Sequence, residues 1–106
     1  MSGDSFKAAL AVCNCLAGDI GLNTDTLEKL TVEAASNGAE LICFPEMNLT
    51  GYYNNPEVLR YSLSQGSSAL SRISSIASDL SMTILAGFAE TGHDGMVFAT
   101  HGVFVC

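Results

Sequence analysis

Basic residues are scarce: four Lys plus Arg stand against eleven Asp plus Glu in 106 residues, a formal charge of -7. That balance repels phosphate backbones and anionic lipid, so neither nucleic acid nor a membrane surface is an expected partner. Charged residues of both signs reach only 14%, against 48% hydrophobic, which excludes a disordered tail or a solvated helical rod. No apolar run approaches the length of a transmembrane helix. Ala8 to Val12 is too short for the core of a secretory signal. A cytoplasmic location is therefore expected. The length suits one domain, 1–106, and the apolar share suits a sheet buried on both faces.

The usual ligand-binding signatures are also missing. Cys13, Cys15, Cys43 and Cys106 all lie in apolar runs, with no C-x-x-C pair and no His pair at ligand spacing. They read as reduced core thiols, and no metal is expected. Cys13 and Cys15 are two residues apart, which places both sulfurs on one face of an extended strand. Gly18 and Gly21 do not complete G-x-G-x-x-G, and Asp19 would face a phosphate unfavourably, so this stretch reads as a connecting loop. His93 falls in a Gly-rich turn and His101 in the last apolar run, positions that suit a solvated loop side chain and a packed strand side chain.

What is present is an alternation of strand and helix patterns. Phe6 to Cys15 is nearly all apolar and reads as a strand buried on both faces. Leu27, Leu30 and Ala34 then form a helical stripe; Asp25 with Glu28 can cap its start and Asn37-Gly38 can end it, giving a helix over Asp25 to Asn37. A second strand from Glu40 makes a β-α-β unit, which requires a parallel pair. Asn55-Pro56 starts a short helix to about Gln65, broken by Gly66-Ser67-Ser68. Leu70, Ile73, Ile76, Ala77 and Leu80 mark a longer one. Met82 to Ala89 is a third strand, and Thr91 to Gly95 is a hairpin turn leading to a fourth, Met96 to Cys106. The fold class is α/β, in the order β-α-β-α-α-β-β. The chain stops inside the last apolar run, as a cut domain would.

The chemistry concentrates in Leu41 to Tyr52. If Leu41 to Phe44 is a buried strand, Glu46 lies just past its carboxyl end, where open α/β sheets place ligand chemistry. Spacing alone leaves two readings of Glu46, a catalytic carboxylate or an ordinary capping or loop carboxylate. In an apolar setting the carboxyl would be shifted upward and become a better proton acceptor. Pro45 would fix its approach by locking one backbone angle.

The strand Ala8 to Cys15, Gly18-Asp19 with Asn23 and Leu27, the block Gly38 to Glu46, and Thr50-Gly51-Tyr52 together resemble the N-terminal part of a carbon-nitrogen hydrolase of the nitrilase and aliphatic amidase superfamily. Gly87-Phe88-Ala89-Glu90 and the strand after it fit the same order. The resemblance implies an α-β-β-α sandwich and a Glu, Lys and Cys triad that uses no metal or organic cofactor. It implies that Glu46 is the general base for a cysteine thiol that attacks an amide or nitrile carbon, and that copies pair through helices as a homo-oligomer. Tyr52 has two readings, a substrate-binding residue lining a pocket or a packed loop tyrosine. The chain departs from the pattern in its other two members. Lys7 and Lys29 do not fit the lysine position, Cys106 arrives too soon after Glu46 to be the nucleophile, and Cys13 and Cys43 fall inside strands. Glu90 belongs to a strand end and not to the triad. The isolated chain is expected to be inactive. The alternative is a non-catalytic truncated α/β module that associates with another subunit. A flavodoxin-like nucleotide binder is a weaker rival, since the phosphate loop is absent.

Overall fold

The structure is a computed structural model and describes residues 5–51 and 61–105. Its elements are β1 (Ala8–Leu10), α1 (Ile20–Ser36), β2 (Leu41–Cys43), α2 (Ser68–Leu80), β3 (Thr83–Thr91) and β4 (Val97–Phe104). The strands form one sheet in the order β1-β2-β3-β4. The first three are parallel, and β4 returns antiparallel to β3 through the Gly92 to Gly95 turn. This is the expected α/β order, apart from the short helix at Asn55, most of which lies outside the described residues. Where description resumes, Leu63 bridges Glu90 in parallel, so that helix does not continue to Gln65.

Helix α1 begins at Ile20, well before the expected start at Asp25. Asp19 caps it, its carboxylate accepting the Leu22 N–H at 3.1 Å. The early turns were hard to see because the residues facing inward there, Asn23 and Thr24, are polar and break the apolar stripe. Asp25 and Glu28 instead accept hydrogen bonds from the Arg72 guanidinium on α2, at 2.8 and 2.7 Å. Those two bonds push the Arg72 pKa further up and tie the helices together side by side. In α2, Ser67 caps the start and the buried positions Leu70, Ile73, Ile76 and Ala77 follow the expected spacing.

Both helices lie on one face of the sheet. There Ile42, Ile84, Ala86 and Phe88 meet Leu27, Leu70, Ile73, Ile76 and Ala77 in a single buried cluster. Burying one such aliphatic side chain contributes about 1.5–3 kcal/mol, so this layer supplies most of the cohesion.

The opposite face departs from expectation. The register aligns Leu10, Cys43, Leu85 and Val103 in one row across all four strands. Leu10 is 83% and Val103 63% exposed. The first strand is therefore short, at the sheet edge and open on one side, and not buried on both. Its apolar composition reflects two faces suited to burial, of which the described residues cover only one. The same openness leaves His101 exposed on that face, where a packed side chain was expected, while His93 is exposed in its turn. Among the described residues no helix is long and apolar enough to cross a membrane.

Candidate active site

Strand β2 ends at Cys43, while β3 continues for six residues past Leu85, its partner there. That leaves a length of β3 edge without a strand beside it, and the segment after β2 fills the gap. The Phe44 N–H donates to the Leu85 carbonyl at 2.8 Å and the Leu49 N–H to the Gly87 carbonyl at 3.0 Å. Two side chains replace the missing strand acceptors: Asn48 Oδ1 accepts the Gly87 N–H at 2.9 Å, and Thr50 Oγ1 accepts the Ala89 N–H at 3.0 Å. Leu63 then takes over, donating to Ala89 and accepting from Thr91. The Pro45 to Gly51 turn is thus sewn to β3, and Glu46 is carried on it.

Within the turn, Met47 adopts a left-handed φ of 59°, and the Gly51 N–H closes back on the Met47 carbonyl at 2.8 Å. Leu49 points into the helix-side core and is fully buried. The backbone of Glu46 and Met47 crosses on the other face, directly over Gly87. A Cβ at Gly87 would lie 2.4 Å from the Met47 nitrogen and 3.2 Å from the Glu46 carbonyl carbon. It would also lie 3.1 Å from His101 Nδ1, which places the imidazole beside the turn. Glu46 therefore sits at the carboxyl end of the parallel strands, on the sheet face that the helices leave open.

Asn23 locks the loop after β1 to this turn. Its Oδ1 accepts the Leu16 N–H at 3.0 Å, and its Nδ2 donates to the Leu16 and Leu49 carbonyls at 2.7 and 2.9 Å. The Gly18 N–H adds a bond to the Thr50 carbonyl at 2.9 Å. Asn23 is buried, so removing its amide strands several polar groups at once. Asn23→Ala should lower unfolding free energy by about 2–3 kcal/mol in a urea titration, whereas exposed Asn14→Ala should change it by less than about 0.5 kcal/mol.

The Glu46 side chain is exposed, so the described residues do not supply the apolar setting expected for it. Tyr52 and Cys106 lie outside the described residues. Lys7 is committed elsewhere, its Nζ donating to the Asn37 carbonyl at 2.8 Å. Because Lys7 precedes β1 and Glu46 follows the parallel β2, the two occupy opposite ends of the sheet. Lys29 is exposed on α1. Cys43 closes β2, but Cys13 lies beyond β1 and not within it. Glu90 is a β3 residue whose Oε1 accepts the Thr100 hydroxyl at 2.8 Å, in keeping with a strand-end role. No group of three metal-ligating side chains occurs among the described residues. Sequence reasoning met Asn23, Thr50 and Gly87 only as motif residues and Asn48 only as part of the Leu41 to Tyr52 stretch, and missed that these four hold the Glu46 turn in place.

The fold recurs in solved structures. An amidase from Nesterenkonia sp. superposes with a TM-score of 0.79 at 21% identity, over 97% of this chain and 39% of that one. The sheet and its helix layer are thus the first portion of a nitrilase-type fold. The carbon-nitrogen hydrolase family profile matches residues 7–105. The chain belongs to the carbon-nitrogen hydrolase family. An arylacetonitrilase from Macrophomina phaseolina (strain MS6) is 34% identical over 88 residues, covering 73% of this chain and 24% of the relative. One from Arthroderma benhamiae (strain ATCC MYA-4681 / CBS 112371) is 27% identical over 116 aligned residues, covering 99% and 33%. The chain spans about a quarter to a third of the length of these curated relatives.

Proposed function

We propose that this chain supplies the general base, Glu46, of a hydrolase acting on non-peptide carbon-nitrogen bonds in amides or nitriles. The observation that carries the proposal is the anchoring of the Glu46 turn to the β3 edge through Asn48 and Thr50, at the carboxyl end of parallel strands. A general base must be held within hydrogen-bond reach of the proton it takes, and a turn bonded at every second residue of a strand provides that fixity. In the proposed reaction Glu46 removes the proton of a cysteine thiol, and the thiolate attacks the amide or nitrile carbon. A lysine stabilises the developing negative charge. The proton taken by Glu46 passes to the substrate nitrogen, and the carbon-nitrogen bond breaks to release an amine or ammonia (for a nitrile, after water adds to the thioimidate), leaving an acyl thioester. Glu46 then activates the water that hydrolyses this thioester to the acid and the free thiol. Covering the open face would exclude water from this carboxylate and supply the apolar setting that the described residues do not.

On this proposal neither Lys7 nor Lys29 serves as that lysine and none of Cys13, Cys43 and Cys106 serves as the nucleophile, so the chain by itself holds one of three catalytic groups. A panel of aliphatic and aromatic amides and nitriles incubated with the purified chain should show no turnover above buffer. Turnover that disappears on Glu46→Gln would contradict this division of the triad. The proposal includes association of copies through their helices, which sedimentation of the purified chain would test.

A second reading has its own observation. The apolar row Leu10, Cys43, Leu85 and Val103, exposed at its two ends and half-buried between them, suits a non-catalytic module that binds another subunit through its sheet. Tight binding of a partner by a Glu46→Gln chain with unchanged affinity, and no hydrolysis by the complex, would favour it.

A further inference from the structure

We propose that Cys13 and Cys15 form a redox-active dithiol that closes into a Cys-x-Cys disulfide on thiol–disulfide exchange with a small disulfide such as oxidised glutathione. Their sulfurs are 3.8 Å apart, in van der Waals and hydrogen-bonding contact, and both side chains are half-buried. The pair lies past the end of β1, outside the regular ladder, where the backbone is not held by strand pairing on both sides. A bridge between residues two apart is strained in a paired strand, because their Cα atoms stand near or beyond the separation a disulfide spans. Cys13 and Cys15 lie beyond β1, so that constraint of the paired ladder does not apply to them.

The reaction balances without a metal. One cysteine thiolate attacks the small disulfide, forming a mixed disulfide and releasing one small thiol. The second cysteine then attacks the protein sulfur of the mixed disulfide, forming the Cys13–Cys15 bond and releasing the second small thiol. Two electrons and two hydrogens pass from the protein to the oxidant. Burial, followed by the charge and hydrogen bond of Cys13, pushes the Cys15 thiol up to about 11, so Cys15 rests protonated at neutral pH. A neutral disulfide suits this half-buried position better than a thiolate. The bridge would also adjoin Leu16, whose N–H and carbonyl are both held by Asn23, the residue that bonds the Glu46 turn at Leu49. Oxidation at this site is thereby linked to the placement of Glu46.

Trypsin cuts after Lys7 and Lys29, releasing residues 8–29 with Cys13 and Cys15 and neither of the other cysteines. The purified chain is equilibrated in glutathione buffers of graded potential, alkylated at low pH and digested. The 8–29 peptide should lose two hydrogens and resist alkylation over a potential range in which Cys43 still alkylates. Cys13→Ser and Cys15→Ser should each abolish the loss. The equilibrium constant should be about tenfold or more higher in buffer than for the same unmutated chain in urea. An equal constant in urea, alkylation of both thiols at every potential, or a glutathione adduct on one cysteine with no two-hydrogen loss would each overturn the proposal.

Discussion

Gly87→Val should destabilise the chain by about 3–5 kcal/mol, a loss visible as a much lower urea midpoint. The reason is a backbone approach and not the loss of a side chain. Any Cβ at this position meets the Met47 nitrogen at 2.4 Å, and backbone atoms cannot swing aside as the end of a side chain can. Relief requires the Glu46 turn to lift off β3, which breaks the Leu49 to Gly87 bond and leaves the Gly87 N–H without Asn48. Stranding such buried groups adds about 1–3 kcal/mol each to the steric cost. Gly21→Ala is the matched control. It lies inside α1 with open space around it, and alanine there should stabilise by about 0.5–1 kcal/mol through lower backbone entropy in the unfolded chain. Equal effects at the two glycines would mean that the turn does not depend on close contact with β3.

Much of this fold was legible because burial and period coincide. The stripe Leu70, Ile73, Ile76 and Ala77 gave α2, and Asp94-Gly95 gave the hairpin to β4. The start of α1 was hidden because Asn23 and Thr24 face inward for hydrogen bonds, and a hydrophobic pattern carries no trace of a polar residue used that way. The openness of β1 was hidden for another reason: composition reports a face suited to burial, and the surface that covers it is a tertiary matter. Glu46 itself could be placed from the strand, the proline and the motif. Its supports could not, because Asn48, Thr50 and Gly87 act across 39 residues of sequence, a pairing that no local spacing encodes.

Glu46→Gln should leave stability within about 0.5 kcal/mol, since the side chain is exposed and the turn is held by other groups. On the proposed role as general base, its effect belongs to chemistry. Glutamine keeps the size and the hydrogen-bonding shape of glutamate but cannot accept a proton, so a general base lost this way slows turnover by about 10²–10⁴-fold. The effect should fall on kcat and kcat/KM together, because proton removal from the thiol is felt in the transition state and not in substrate binding. The most direct measurement joins residues 7–105 of this chain to the remaining part of the Macrophomina phaseolina arylacetonitrilase. Arylacetonitrile hydrolysis by this hybrid is followed with and without the Glu46→Gln substitution, alongside the unfolding midpoint of each form. The account predicts a hydrolytic hybrid, a loss of about 10²–10⁴-fold on the substitution, and unchanged midpoints. A folded hybrid that hydrolyses equally fast after Glu46→Gln would contradict it.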